Sequence, residues 1–269
     1  MRMMKPLAAG FFAVSLASGT ALAAPITMTW DPAAAGLNST VASITQNNQV
    51  ISDFSTTVIN AATGAFTDTG YLPITQFQFN GSPVASGGVG GAYSIYYEYV
   101  ATGTFYAGGT PGFNPAVTDT AVFTGLTYSL IGTNGPVSVT FASTTANPTI
   151  SPSTGTILAT GSLSPSRGSV GNVTGDLPAA QVFATFDPAA TESGFFIVPP
   201  SGGYIGLNLD AAFTNTNSVV TFTPSGGSEY LQVDGGGGNV NFVVPEPTSV
   251  ALLSTGLLGL GLVMRRKKA

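Results

Sequence analysis

Cysteine and histidine are both absent from the 269-residue chain. Without cysteine, an exported protein of this size takes its stability from packing and hydrogen bonds, not from disulfides. Without histidine, neither a histidine-dependent triad nor a His-ligated zinc, copper or iron site can be built from this chain. Basic residues are nearly as scarce. Of seven, Arg2 and Lys5 stand at the start, Arg265, Arg266, Lys267 and Lys268 at the end, and Arg167 alone between them. Eleven of the twelve acids fall in that middle stretch, so residues 24–243 carry a net charge of −10. A surface so poor in lysine and arginine cannot neutralise phosphates, which sets aside nucleic acid and anionic lipid headgroups as partners. Ser/Lys catalysis goes too, because the same stretch holds no lysine.

What is present is most distinctive at the two ends. Residues 1–23 combine a basic start, an apolar core from Leu7 to Leu16 and the small residues Ala21-Leu22-Ala23, the three parts of a secretory signal peptide. Cleavage is expected between Ala23 and Ala24. Residues 248–264 run without a charge, and the basic tail 265–268 follows at once. At ~1.5 Å rise per residue a transmembrane helix over 248–264 reaches about 25 Å, and crosses a ~30 Å hydrocarbon core with local thinning. The basic cluster places the carboxyl end in the cytoplasm and the body outside the inner membrane. Gly256, Gly259 and Gly261 dilute the leucines, a composition that fits both a plain stop-transfer helix and one that docks against another membrane protein.

Val244-Pro245-Glu246-Pro247, the Gly/Leu-rich span and the terminal Arg-Arg-Lys-Lys together resemble the PEP-CTERM sorting signal of Gram-negative bacteria. The resemblance implies recognition by an exosortase, a membrane-embedded cysteine transpeptidase that cleaves near Pro245-Glu246-Pro247. The protein would then pass from a transient membrane anchor to the cell surface or exopolysaccharide matrix. The same tail resembles the segment labelled an ice-binding protein C-terminal domain, a description of the tail alone. Physically, each proline fixes φ near −65° and turns the preceding residue away from helix, so residues 244–247 are expected to be extended just above the membrane. The body is also similar to flocculation-associated PEP-CTERM proteins in Phe183, Phe186-Asp187-Pro188, Phe195-Phe196 and Pro199-Pro200. That similarity implies a matrix or surface role and transfers no residue function.

Residues 24–243 hold no long helical period and read as an all-β domain, an antiparallel sandwich or barrel. The clearest strand is GAYSIYYEYVATGTFY, in which Tyr93, Ile95, Tyr97 and Tyr99 point one way and Ser94, Tyr96, Glu98 and Val100 the other. Further strands are expected over Gln76–Asn80, Val122–Ile131, Val137–Ala142, Gln181–Phe186, Tyr204–Leu209, Val219–Thr223 and Val240–Val243. Turns are expected at Asn80-Gly81, SGGVGG, TNGP, SPSRG, PPSGG, PSGG and DGGGG. TTANPTISPSTG reads as a long loop. TWDPAA at 29–34 recurs as TFDPAA at 185–190, each an aromatic strand exit followed by an Asp-Pro turn whose carboxylate can accept backbone N–H groups.

The acids are spread almost evenly and none forms a calcium loop, so they read as solubilising surface charges. The glycine runs end in no Lys-Ser/Thr and open no helix, which leaves phosphate binding without support. No catalytic residue, metal or cofactor is expected. With Tyr93, Tyr97 and Tyr99 turned to the core or its rim, Tyr96 and Glu98 remain outward as a candidate sugar-binding face. The expected function is that of a non-enzymatic, exosortase-processed surface or matrix protein supporting flocculation, aggregation or biofilm. Two alternatives stand beside it. One is a carbohydrate-binding adhesive module; the other is a carboxylate-based polysaccharide hydrolase, which needs two acids brought together by the fold.

Overall fold

Side chains alternate between buried and exposed along most long segments, as a two-sided antiparallel sheet requires. A computed structural model describes residues 26–114, 119–164, 169–174, 177–189, 194–198, 204–210 and 219–243, and among them there is no α-helix. The first strands are β1 (Met28–Trp30), β2 (Ile44–Gln46), β3 (Asn48–Asn60), β4 (Ala65–Phe79), β5 (Ser82–Pro83) and β6 (Tyr93–Ala107). The middle of the chain forms β7 (Thr110–Pro111), β8 (Asp119–Asn134), β9 (Ser138–Thr140), β10 (Thr149–Ser151), β11 (Thr156–Ser162) and β12 (Val170–Thr174). The last are β13 (Leu177–Thr185), β14 (Asp187–Pro188), β15 (Phe196–Val198), β16 (Tyr204–Asp210), β17 (Val219–Ser225) and β18 (Ser228–Val243).

The pairings of the main sheet return on themselves. Following antiparallel partners gives β6–β8–β12–β13–β16–β18–β3–β4 and back to β6. Two strands branch from this ring. β12 covers the first half of one edge of β8 while β11 covers the second half, and β17 shares an edge of β18 with β16. β11 then rejoins the ring, through a bridge between Leu163 and Ala184 and the Ser164 N–H bonded to the Phe183 carbonyl at 2.8 Å.

A three-stranded sheet, β15–β1–β2, closes one end of the ring. Its Trp30 is fully buried, with ring centroids 5.6 Å from Phe77 at the end of β4, 6.0 Å from Phe242 at the end of β18, and 5.0 and 5.7 Å from Phe195 and Phe196. Phe186 joins this plug 5.3 Å from both Phe196 and Phe242, so the two recurring aromatic-Asp-Pro phrases send their aromatics into one cluster. The Asp31 carboxylate accepts the Ala34 N–H at 3.1 Å, the expected turn. Asp187-Pro188 instead pairs with β11 as β14. A second apolar cluster, built on Ile59, Phe66, Phe105, Phe113 and Leu231, fills the far end.

Three expectations about segments change. DGGGG is not a turn, because residues 234–238 run inside β18, with a bulge between Asp234 and Gly236 where Gly235 takes φ 81°. Residues 48–60, outside every expected strand, form one of the ring's long strands. The long loop expected over residues 144–155 is a loop only in part, because Thr149–Ser151 inside it form β10, which pairs with β9 as a hairpin laid over the outside of the sheet. Thr56 Oγ1 donates to the Ala146 carbonyl at 2.9 Å and Gln232 Nε2 to the Ser143 carbonyl at 3.0 Å, which ties the hairpin down.

Candidate functional site

Between the two apolar ends the ring's interior turns polar. The inward positions of β3 are Gln49, Ile51, Asp53, Ser55, Thr57 and Ile59, with four polar residues inside the two isoleucines' span and rim. Asp68 on β4 accepts a hydrogen bond from Thr57 Oγ1 at 3.1 Å and another from the Tyr99 hydroxyl at 3.0 Å. Tyr97, one turn of the pleat away on β6, donates to Gln49 Oε1 at 2.7 Å. Gly70 stands directly opposite Tyr99, and a Cβ there would lie 2.8 Å from the tyrosine ring and 2.7 Å from the Phe54 carbonyl. The bare glycine lets the Tyr99 ring lie across β4 and reach the acid. Gly236 of the β18 bulge does the same for Asp53, since its Cβ would sit 3.2 Å from that of Asp53.

Two carboxylates therefore share this layer, and their surroundings separate them. Burial pushes the Asp53 carboxyl up to about 8, the nearby Asp68 charge adds to the rise, and the Ser55 and Tyr99 hydroxyls oppose it. Burial also lifts Asp68, to about 6, against the hydrogen bonds from Tyr99, Thr57 and the Thr69 backbone. Of the two, Asp53 is the one that keeps its proton to the higher pH. The hydrogen bonds agree with this, because Asp68 has two hydroxyl donors whereas Asp53 Oδ1 is buried without a partner, which a charged carboxylate would not tolerate. Asp119 is fully buried as well, and accepts the Asn114 N–H at 2.6 Å. Reading all the acids as surface charges is corrected at Asp53 and Asp119, and in part at Asp68.

The expected sugar-binding face is also corrected. Tyr96 does point to the outer side of β6, but it is fully buried, in a cluster with Ile131 and Ile150 under the β9–β10 hairpin. Glu98 is exposed, and the Tyr71 hydroxyl approaches its carboxylate at 3.5 Å. Tyr93, Tyr97 and Tyr99 are buried in the main core. The hairpin leaves an open groove of about 430 Å³ on this outer face, lined by Ser52, Phe54, Pro73, Thr75, Ser94 and Val139 among others. Beneath it the β3–β4 ladder passes from Ile51↔Ile74 to Phe54↔Tyr71 without pairing Pro73, which has no N–H to offer. Asp53 lies on the other face of β3, with the backbone between it and the groove.

The carboxyl-terminal strand leads out of the plugged end. β18 pairs with β16 as far as Tyr204↔Val243 and with β3 as far as Asn241↔Asn48, so it is held on both edges almost to its last residue. The family model for the PEP-CTERM protein-sorting motif matches residues 243–267, beginning on that last residue. The chain carries a PEP-CTERM sorting signal. The motif marks an exported protein that is targeted to an exosortase and crosses the membrane towards the cell surface. Pro245, Glu246, Pro247, Arg265, Arg266 and Lys267 fall inside the match, and Lys268 follows it. No curated protein and no solved structure matches the chain. The signal peptide with its Ala23–Ala24 cut, the sorting residues themselves, the helix over 248–264 and the basic tail all lie outside the described residues.

Proposed function

We propose that this is a non-catalytic matrix or surface protein of a Gram-negative bacterium, a closed β-barrel-like body over residues 24–243 that an exosortase releases from its inner-membrane anchor. Delivered to the exopolysaccharide, it supports flocculation or biofilm. The observation that carries this reading is the sorting motif running on directly from a folded strand. A body bearing one base against eleven acids suits a hydrated, largely neutral polysaccharide surrounding better than a polyanionic partner. The Asp53–Asp68 pair favours a structural use of these carboxylates over hydrolysis, since Asp53 is buried inside the ring and Asp68 is held by the Thr57 and Tyr99 hydroxyls between apolar layers. Deletion of the gene should reduce floc formation and remove the protein from extracted matrix. Unchanged aggregation in the deletion strain would end this reading.

A second reading, a carbohydrate-binding module, is favoured by the groove, whose lining combines Phe54 with Ser52 and Thr75. Glycan-array binding lost on Phe54→Ala would support it, and uniform non-binding of the native protein would remove it.

A further inference from the structure

The position of the sorting signal relative to the ring sets a geometric limit on the enzyme that reads it. An extended chain advances at most about 3.5 Å per residue, so Pro245 lies within about 7 Å and Pro247 within about 14 Å of Val243. Val243 itself is paired with Tyr204. No linker intervenes, and an active site that grips Pro245-Glu246-Pro247 is brought against the plugged end of the body. The amino-terminal side of the chain emerges at the same place, because the Ile26 N–H bonds to the Phe242 carbonyl at 2.8 Å.

This end has a surface unlike an ordinary solvated rim. The plug sheet turns Trp30 and Phe196 inward; Thr29 and Thr45 pair across β1 and β2 with their hydroxyls 3.1 Å apart, and Ile197 stands at the β15 bulge next to Val198, the register partner of Thr29. Ile197 is 54 % exposed, the most exposed of the large hydrophobic side chains described. Along the adjoining rim runs a ladder of neutral amides, in which Asn48 Nδ2 donates to Gln78 Oε1 at 2.7 Å and contacts Asn239 Oδ1 at 3.3 Å. An apolar residue amid uncharged hydroxyls and amides is the composition of a docking patch, one that desolvates without stripping a charge.

Resting on the exosortase reading above, we infer that the plugged end is part of the processing substrate: Ile197 and its threonine neighbours dock against the exosortase while it cuts the adjoining motif. The test compares four full-length chains by pulse–chase in an exosortase-positive strain, with product termini read by mass spectrometry. They are the native chain, one with an eight-residue Gly/Ser spacer between Val243 and Val244, Ile197→Asp, and the two changes combined. The expected result is processing about ten-fold slower in the spacer chain and several-fold slower in Ile197→Asp, with no further loss when both are present. A spacer chain cut at the native rate or faster overturns the inference, because the body is then a bystander or an obstacle. An Ile197→Asp chain cut at the native rate removes the docking patch. If the purified body floats with inner-membrane lipid vesicles and Ile197→Asp abolishes this, lipid and not the enzyme is the partner. A native chain left uncut refutes exosortase processing itself, which distinguishes that failure from the others. Trp30 fluorescence, from the chain's single tryptophan beside Phe196, checks that each variant is folded.

Discussion

The buried Asp53 makes the body's stability depend on pH in a direction opposite to that of an ordinary salt-bridged acid. Its folded value of about 8 lies above the ordinary aspartate value of 3.8, so between roughly pH 4 and pH 8 the native state binds a proton that the unfolded chain has released. Stability then falls as pH rises: the contribution is complete below about pH 4 and is lost as pH passes 8. At ~1.4 kcal/mol per pH unit the full displacement corresponds to about 6 kcal/mol, and relaxation with water entry brings the expected loss to roughly 3–5 kcal/mol. Asp68 adds a smaller decline that is complete near pH 6. The assay is urea unfolding of the exported protein at pH 4.5, 6, 7 and 8.5, followed by Trp30 emission. The body's net charge of −10 produces a downward slope of its own through self-repulsion, so the decisive comparison is with Asp53→Asn, which keeps the side-chain shape and cannot ionise. Asp53→Asn should flatten the curve between pH 6 and 8.5 and be the more stable protein at pH 8.5, while Glu98→Gln, an exposed control, leaves the slope as it is. A wild-type stability that holds or rises from pH 5 to 8, or an Asp53→Asn protein with the wild-type slope, would refute the buried-proton argument.

Two further predictions concern packing. Gly70→Ala should cost about 1–3 kcal/mol in urea unfolding although alanine usually suits a strand interior better than glycine, because the new Cβ meets the Phe54 carbonyl, Ser55 Cβ and the Tyr99 ring at 2.7–2.8 Å. A neutral or stabilising Gly70→Ala would show that Tyr99 does not need that space. Tyr96→Ala should cost about 3–5 kcal/mol by emptying the cluster under the hairpin, whereas Glu98→Ala changes stability by less than about 0.5 kcal/mol. Equal effects of the two would restore the outward tyrosine that the alternation of β6 suggested.

How much of this was legible in the sequence depends on where each strand puts its polar residues. β6 shows plainly because its inward side carries Tyr93, Ile95, Tyr97, Tyr99, Ala101 and Phe105 in unbroken alternation. β3 is as long a strand and does not show, because its inward side carries Gln49, Asp53, Ser55 and Thr57, and an interior polar layer erases the period-two hydrophobic signal. β18 shows only its last four residues, because Gly235 to Gly238 mimic a turn where the structure uses them for a bulge and for close approach to Asp53. Tyr96 teaches a different limit. Periodicity assigns a residue to a face of a strand, but the hairpin that covers that face comes from 40 to 50 residues later in the chain. The sorting signal was readable for the opposite reason, since its three elements are contiguous and owe nothing to tertiary contacts.

The same arrangement explains how an exported sheet protein without lysine in its body avoids pairing with its own copies. Exposed strand edges invite a second chain to add on, and charged side chains, above all lysine, are a common protection. Among the described residues the ring leaves few edges, and most of those are short or carry proline. β5, β7 and β14 have two residues each and contain Pro83, Pro111 and Pro188, while the longer β17 carries Pro224 near its turn. β10 is flanked by Pro148 and Pro152. Each proline removes an N–H that a neighbouring strand would need. Pro73 and Pro178 lie in ring strands, and at Pro73 the β3–β4 ladder is interrupted. On the proposed matrix role, a body so finished at its edges would associate through side-chain surfaces, such as the groove, and not by extending its sheet. If the proposed role in flocculation holds, the aggregates are expected to disperse on competition with soluble polysaccharide, as contact between surfaces does, and to lack the persistence of cross-strand fibres.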